Sequence, residues 1–281
     1  MSMHEQALLI NAAPGSMVGL LARPDKTAQV GVVIVVGAPQ YRVGSHRQFV
    51  LLARRLAEAG CASLRFDPPG RGDSPGLPLD FEQLDDAIGA AIDALQAECQ
   101  HLRRLVLLGL CDGASAALLY WQRTRDVRVN GLCLLNPWAR GVETQAATQV
   151  RHYYTDRLLS AEFWSKLFRG GVAWRSSMAE LGAALRKMRR GRREAASQDF
   201  RSLMYRALTD FEGRVALLLS GRDYTAKEFL EWLALQPGGD DVLASPQLAR
   251  YDFPLADHTF SSAQWRGKVE DTVVRWCNER E

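Results

Sequence analysis

The feature that most constrains the fold is a regular alternation of apolar runs and amphipathic stretches. The run Gly31–Val36, GVVIVV, is continuously apolar and rich in β-branched residues, which is typical of a strand buried on both faces. Shorter runs at Cys61–Phe66, Leu105–Leu108, Val129–Leu135, Val215–Leu219 and Leu248–Phe253 are predicted as further strands. Helices are predicted at Ser45–Ala59, Phe81–Cys99, Asp112–Arg123, Thr225–Leu235 and Ser261–Cys277. This order predicts an α/β fold with a mostly parallel, twisted sheet and helices on both faces, preceded by a hairpin formed by Gln6–Asn11 and Met17–Ala22.

One segment, residues 138–210, interrupts the alternation. It separates two strands that should be neighbours by far more residues than a usual connection, and it contains helical patterns at Ala161–Phe168 and Met178–Arg193. We therefore predict a core of residues 1–137 and 211–281 with 138–210 inserted as a helical cap.

The predicted cap is basic. It has 14 Lys or Arg and 7 Asp or Glu, a net charge of +7, whereas the rest of the chain has −4. Two interpretations are open: a solvated helix face, or a rim that attracts an anionic partner such as a carrier-bound thioester, a charged saccharide or a membrane surface. No nucleic-acid-binding module is recognisable, so we expect no nucleic-acid partner.

Cysteine usage indicates a reducing compartment, and hydropathy gives no sign of a membrane span. The five cysteines form no CxxC pair and no disulfide framework, and no metal-ligand or cofactor motif is present, so we predict neither metal nor cofactor. The N-terminus does not have the pattern of a signal peptide, and no apolar stretch approaches the ~20 residues of a membrane span. A cytoplasmic location without a transmembrane segment is therefore expected, and the oligomeric state is left open.

The stretch VLLGLCDGASAAL, residues 106–118, places Cys111 between two glycines where a strand should pass into a helix. This is the arrangement of a nucleophile elbow, in which flanking glycines let strand and helix approach closely. A thiol there would lie at a helix N-terminus, where the helix dipole favours a thiolate. A buried cysteine in a tight turn is the alternative interpretation of this motif alone.

Two more residues follow predicted strands in a suggestive order. Asp223 comes just after Val215–Leu219, and His258 lies in a loop after Leu248–Phe253. Taken alone, Asp223 could simply be a helix-capping or turn aspartate, and His258 could simply be a surface loop histidine. Together with Cys111 they give the order nucleophile, acid, base, so we predict a triad. Cys111 would attack an acyl carbon, His258 would transfer the proton, and Asp223 would orient the imidazole.

An oxyanion needs two hydrogen-bond donors. The N–H of Asp112, directly after the nucleophile, is the first candidate. The second should come from the loop GAPQYRVGS after the first parallel strand. Pro39 has no N–H, so we predict Gln40, with Tyr41 as the next candidate. A plain strand-to-helix turn is the alternative interpretation of either residue. The Asp112 side chain itself is interpreted as a carboxylate that favours the helix dipole, with the alternative that it raises the thiol pKa.

The sequence resembles α/β-hydrolase fold proteins along nearly its whole length. FDPPGRGDSPG is similar to the D-x-x-G-x-G-x-S turn of these proteins, with Asp67, Gly70, Gly72 and Ser74 in the matching positions. The elbow GLCDGASA and the loop PQYRVGSHR, which does not contain the usual His-Gly pair, together resemble the type 1 hydrolases associated with the exosortase A system. That resemblance implies a setting in exopolysaccharide production and protein sorting, and it implies no substrate. Cysteine at the elbow also resembles dienelactone hydrolases and polyhydroxyalkanoate synthases.

Three functions are consistent with these features. The first is a cysteine-dependent hydrolase of an ester or thioester, acting on a small-molecule or carrier-bound acyl substrate. The second is an acyltransferase with the same triad. The third is a non-catalytic binding protein of the same fold, against which the intact set of Cys111, Asp223 and His258 argues.

Overall fold

The computed structural model describes residues 2–12, 15–139 and 200–279. Its strands are β1 (Met3–Ala12), β2 (Gly15–Pro24), β3 (Val30–Val35), β4 (Ala62–Phe66), β5 (Arg104–Leu110), β6 (Val129–Leu135), β7 (Arg214–Ser220) and β8 (Leu248–Phe253). Its helices are α1 (Gln48–Glu58), α2 (Asp85–Glu98), α3 (Asp112–Thr124), α4 (Phe200–Asp210), α5 (Tyr224–Ala234), α6 (Gly239–Ala244) and α7 (Ala263–Asn278). Short 3₁₀ turns at Ser45–Arg47 and Phe81–Gln83 precede α1 and α2.

The eight strands form one mixed sheet in the order β1-β2-β4-β3-β5-β6-β7-β8. β1 and β2 form an antiparallel hairpin, and β2 pairs antiparallel with β4. Every pairing from β4 to β8 is parallel. The predicted α/β fold class, a mostly parallel sheet with an added N-terminal hairpin, is confirmed.

The central strand β3 explains why its sequence is apolar throughout. All six residues of Val30–Val35 are buried because helices cover both faces of the sheet. On one face, Val32 and Ile34 belong to a core cluster that also contains Phe49 of α1 and Trp276 of α7. Side chains at alternate strand positions point to opposite faces, so the buried Val33 and Val35 belong to the other face.

Helix α4 joins the core through α3 and the turn before α2. The rings of Trp121 and Phe211 meet edge to face at 4.9 Å, and those of Phe81 and Phe200 at 5.2 Å. The chain accordingly divides into one compact unit of Met1–Trp138 with Phe200–Glu281 and a second of Ala139–Asp199. Residues 200–210, expected within the insertion, thus belong to the first unit. Apart from Ala139, the second unit and its two expected helices lie outside the described residues.

Element boundaries differ from the predictions where the backbone departs from helical geometry. Gly44, His46 and Arg47 have positive φ angles (73°, 53° and 62°), so the regular helix begins at Gln48 rather than Ser45. The six-residue helix α6 was not predicted, because it is too short to show a clear periodicity.

Two further observations concern the described residues. No helix among them is both long and apolar enough to cross a membrane. In the same part of the chain, no group of three or more His, Cys, Asp or Glu side chains could hold a metal ion.

Candidate active site

Cys111 occupies the sharp turn between β5 and α3. Its φ and ψ angles are 59° and −125°, a conformation that residues other than glycine rarely adopt. Its N–H donates to the carbonyl of Leu135 at 2.9 Å, and its own carbonyl accepts from the N–H of Ala114 at 3.1 Å and of Ser115 at 3.2 Å. These bonds to β6 and to the first turn of α3 hold the turn in place with the thiol half-buried at the helix N-terminus.

The two glycines of the elbow are required by close backbone contacts. A Cβ at Gly109 would lie 2.4 Å from the carbonyl carbon of Gly113, and a Cβ at Gly113 would lie 2.5 Å from the carbonyl oxygen of Val35. No side chain fits at either position. Cys111 therefore lies in a tight strand-to-helix turn that requires glycine on both sides.

Asp223 has two functions in the structure. It is the N-cap of α5, since Oδ1 accepts from the N–H of Thr225 at 3.0 Å and Oδ2 from that of Ala226 at 3.3 Å. Oδ2 also lies 2.7 Å from Nδ1 of His258. The carboxylate is 7 % exposed, so the helix terminus and the imidazole together compensate its burial. The plain explanation of Asp223 as a cap is correct, and it coexists with the contact to His258.

His258 lies between Asp223 and Cys111. Burial of the ring by itself would lower its pKa, but hydrogen bonds to Asp223 and Cys111, and the negative charge of both partners, raise the pKa to about 10. The surroundings of the ring therefore favour its protonated form. The structure thus places His258 against Asp223, with 2.7 Å between Nδ1 and Oδ2, and beside Cys111.

The loop that contains His258 is fixed by a residue that the sequence analysis did not single out. Asn136 follows β6 with a positive φ of 43° and is 0 % exposed. Its Nδ2 donates to the His258 carbonyl and to Ser220 Oγ, both at 2.8 Å, and its Oδ1 accepts from the Ser220 N–H at 2.8 Å. Ser220 Oγ in turn donates to the carbonyl of Asp257 at 2.8 Å. A polar residue directly after a buried strand was the only sequence indication of this role.

The loop after β3 requires a correction to the predicted oxyanion donors. The N–H of Gln40 donates to the carbonyl of Gly37 at 2.9 Å, and its Oε1 accepts from the N–H of Ser45 at 3.3 Å. The turn thus uses the N–H that the sequence analysis assigned to substrate. The N–H of this loop that points to the start of α3 belongs to Ala38, which lies one residue after Gly37.

The Asp112 carboxylate lies against the same loop. Its Oδ2 accepts from the N–H of Ala38 at 2.8 Å. Burial raises the pKa of this carboxyl, while the N–H of Ala38, the charge of Arg71 and the N–H groups of Gly113 and Asp112 act in the opposite direction. The carboxylate therefore contacts the loop after β3 in addition to the helix N-terminus.

The turn that resembles D-x-x-G-x-G-x-S supports this loop. Asp67 is completely buried and forms an ion pair with Arg42, whose N–H also donates to Asp67 Oδ1 at 2.6 Å. Asp67 Oδ2 accepts from the N–H of Asp73 at 2.9 Å, and Ser74 Oγ donates to the carbonyl of Asp67 at 2.7 Å. Arg42, within the quoted loop PQYRVGSHR, thus connects the loop after β3 to the turn after β4.

Comparisons with known proteins agree with this architecture. An esterase of Pyrococcus furiosus, Pf2001, superposes with a TM-score of 0.63 at 14% identity, covering 98% of this chain and 94% of that one. An alpha-beta serine hydrolase homologue from Coxiella burnetii superposes with a TM-score of 0.59 at 14% identity, covering 96% of both chains. A dienelactone hydrolase from Anabaena variabilis superposes with a TM-score of 0.59 at 16% identity, covering 98% of this chain and 97% of that one. At these identities the likeness shows the fold.

A comparison with curated proteins finds no match. The model of the Alpha/beta hydrolase family matches residues 32–272. This range includes the elbow, the turn after β4, Asp223 and His258. Most of the chain is covered by that match, and the sheet order and the elbow agree with it. The chain belongs to the alpha/beta hydrolase family.

Proposed function

We propose that this protein hydrolyses an ester or thioester bond, with Cys111 as nucleophile, His258 as acid and base, and Asp223 as the group that orients His258. The observation that carries the proposal is the continuous contact from Cys111 at the elbow through His258 to Asp223, with 2.7 Å between His258 Nδ1 and Asp223 Oδ2. Because Nδ1 is used by Asp223, the other ring nitrogen, Nε2, faces the thiol and the substrate.

Acylation begins from the thiolate and imidazolium pair. Cys111 Sγ attacks the acyl carbon, and a carbon–sulfur bond forms as the carbonyl oxygen takes up negative charge. When the tetrahedral intermediate collapses, the bond to the leaving oxygen or sulfur breaks and His258 gives its proton to the leaving group. The product is a thioester on Cys111 and a neutral His258.

Hydrolysis completes the cycle. Neutral His258 takes a proton from a water molecule as that water attacks the thioester carbon, and the carbon–sulfur bond breaks to release a carboxylic acid. Cys111 leaves as a thiolate beside protonated His258, which is the starting state. In both half-reactions the oxyanion would accept hydrogen bonds from the N–H groups of Asp112 and Ala38, the latter replacing Gln40 in our assignment.

Three finer points complete the proposal. The elbow GLCDGASA and the loop PQYRVGSHR support placing the protein among type 1 hydrolases of the exosortase A system, in a setting of exopolysaccharide production. All five cysteines are free, which supports action in the cytoplasm. The net charge of +7 on residues 138–210 supports an anionic or carrier-bound substrate.

An acylation assay tests the nucleophile. Wild type, Cys111→Ala and His258→Ala are mixed with p-nitrophenyl esters and acyl-coenzyme A, and the initial burst of released product is measured. Cys99→Ala is the matched control, because Cys99 is also a half-buried free thiol but lies at the end of α2. We expect a burst and a covalent acyl group on Cys111 in wild type and in Cys99→Ala, and neither in Cys111→Ala.

The outcomes separate the candidate functions. A burst followed by turnover in water alone supports a hydrolase, while turnover only after addition of an alcohol or amine would identify an acyltransferase. If no acyl donor labels Cys111, the catalytic proposal is wrong and the protein is a binding protein of this fold. Replacing Arg189, Arg190, Arg192 and Arg193 by Gln should raise KM for acyl-coenzyme A and leave neutral esters unchanged; equal effects on both would contradict an anionic substrate.

A further inference from the structure

The Asp112 carboxylate contacts the Ala38 N–H, which the proposed mechanism assigns to the oxyanion. Its Oδ2 accepts the N–H of Ala38 at 2.8 Å, and its Oδ1 is so close to Gly37 that a Cβ on that glycine would lie 1.7 Å from it. The same Cβ would lie 2.9 Å from the Gly113 nitrogen, so the carboxylate lies between the loop after β3 and the first turn of α3. Oδ1 is buried and has no hydrogen-bond partner of good geometry within the part of the chain that the structure describes.

This placement conflicts with the chemistry required at the same groups. The Ala38 N–H is the loop donor that points to the start of α3, and the first N–H groups of α3 have no partner inside the helix. A tetrahedral intermediate would place a negative oxygen on these donors. Two negative charges at one site repel each other, and one N–H cannot serve two acceptors well.

We propose that the Asp112 side chain is a specificity residue that occupies the oxyanion site in the free enzyme and must be displaced by substrate before Cys111 can be acylated. The inference rests on the proposed function of Cys111. A small ester makes few other contacts and would displace the carboxylate poorly. A larger acyl substrate would use binding energy from its remote parts to displace it, which is specificity through induced fit. The family's usual donors are thus present but are made available only to a substrate that binds well.

Two substitutions test the inference. Asp112→Ala removes the occupant, and Asp112→Asn keeps its shape and an acceptor for the Ala38 N–H while removing the charge. For each variant two rates are measured: acylation of Cys111 by p-nitrophenyl acetate, and alkylation of Cys111 by iodoacetamide. Alkylation needs no oxyanion donors, so it reports the reactivity of the thiol alone. Thermal unfolding of both variants establishes that they fold.

We expect Asp112→Ala to raise the acylation rate about 10-fold or more, because one oxyanion donor is worth about 100-fold or more in rate. Asp112→Asn should give a smaller gain, and alkylation should change less than about threefold in either variant. An acylation gain equal to the alkylation gain would assign the effect to the thiol and overturn the inference. Equal gains in Asp112→Ala and Asp112→Asn would assign it to charge alone and also overturn it.

Two other outcomes are informative. If a folded Asp112→Ala variant acylates more slowly than wild type, Asp112 assists the reaction and the inference is wrong, although Cys111 remains the nucleophile. If Cys111 is not acylated in wild type or in either variant while it is still alkylated, the proposed function itself fails, and this inference fails with it.

Discussion

Replacing Asn136 by glycine should separate the loop of His258 from the sheet. Glycine tolerates the positive φ of 43° at this position, so the substitution removes the side chain without adding backbone strain. Three hydrogen bonds of 2.8 Å disappear, two donated by Nδ2 and one accepted by Oδ1. The Ser220 N–H and the His258 carbonyl then have no protein partner for the bonds they made to Asn136.

The magnitude follows from those two groups. Leaving a buried polar group unsatisfied costs about 1–3 kcal/mol, and both groups lie behind a side chain that is 0 % exposed. Taking about 1.5 kcal/mol for each, we expect the free energy of unfolding to fall by about 3 kcal/mol. A displacement of about 1 Å at a reacting group can slow a reaction about 100-fold, so we expect acylation of Cys111 to slow by about 10- to 100-fold.

The two effects are measured by urea unfolding, followed by circular dichroism, and by the acylation burst with p-nitrophenyl esters. Asn130→Ala is the matched control: Asn130 also accepts a backbone hydrogen bond, from the Leu105 N–H at 3.0 Å, but at the opposite end of β6. It should lose stability and keep its burst rate within about threefold. A stability loss below about 1 kcal/mol in Asn136→Gly, with an unchanged burst, would refute the reasoning that this network positions His258.

Three further predictions concern the triad and the elbow. Asp223→Asn removes the main partner of His258, so burial should lower the ring pKa from about 10, as measured by NMR of the ring. Acylation, measured as the burst rate, should slow at least about 100-fold. An unchanged ring pKa would contradict the assigned contact. Folding raises the His258 pKa above its usual 6.5, so the stability that this ring contributes should be complete below about pH 6.5 and be lost as the pH rises towards about 10. The difference in unfolding free energy between wild type and His258→Gln should therefore be smaller at pH 9.5 than at pH 6. A difference that stays constant would contradict the assignment. Gly113→Ala places a Cβ 2.5 Å from the Val35 carbonyl oxygen and should lower the free energy of unfolding, measured in urea, by about 2 kcal/mol. Gly89→Ala, whose Cβ would have no contact closer than 3.6 Å, should leave that free energy unchanged or raise it. Equal changes in the two variants would refute the packing argument.

The sheet was predictable because its strands carry their burial in their own residues. A run such as Gly31–Val36 must be covered on both faces wherever it lies, and helical spacing between such runs leaves few arrangements other than a parallel sheet. The observed bounds of β6 and β8 equal the predicted ones, and most other predicted elements differ by one to three residues at an end. Helix starts were less predictable, since the positive φ angles at His46 and Arg47 come from loop packing rather than from residue preference.

The candidate triad was predictable for a related reason. Parallel strands deliver their carboxyl ends to one edge of the sheet, so polar residues that follow different strands are brought near one another. Cys111, Asp223 and His258 each follow a strand, and their contact is a consequence of the topology. Local chemistry alone could not distinguish Asp223 the helix cap from Asp223 the partner of His258, and the structure shows that it is both.

Sequence by itself therefore determined the fold class, the glycine-flanked turn at Cys111 and the order of the three candidate residues, because these depend on residue type and on spacing along the chain. Only the tertiary structure decided which groups meet at this end of the sheet. It showed that the Gln40 N–H is used within its own turn, that Ala38 points to α3, that the Asp112 carboxylate takes up the Ala38 N–H, and that Asn136 holds the His258 loop. The physical reason is that a hydrogen bond between distant residues depends on angstrom-scale backbone positions, which are set by packing of the whole core and leave little trace in the local sequence.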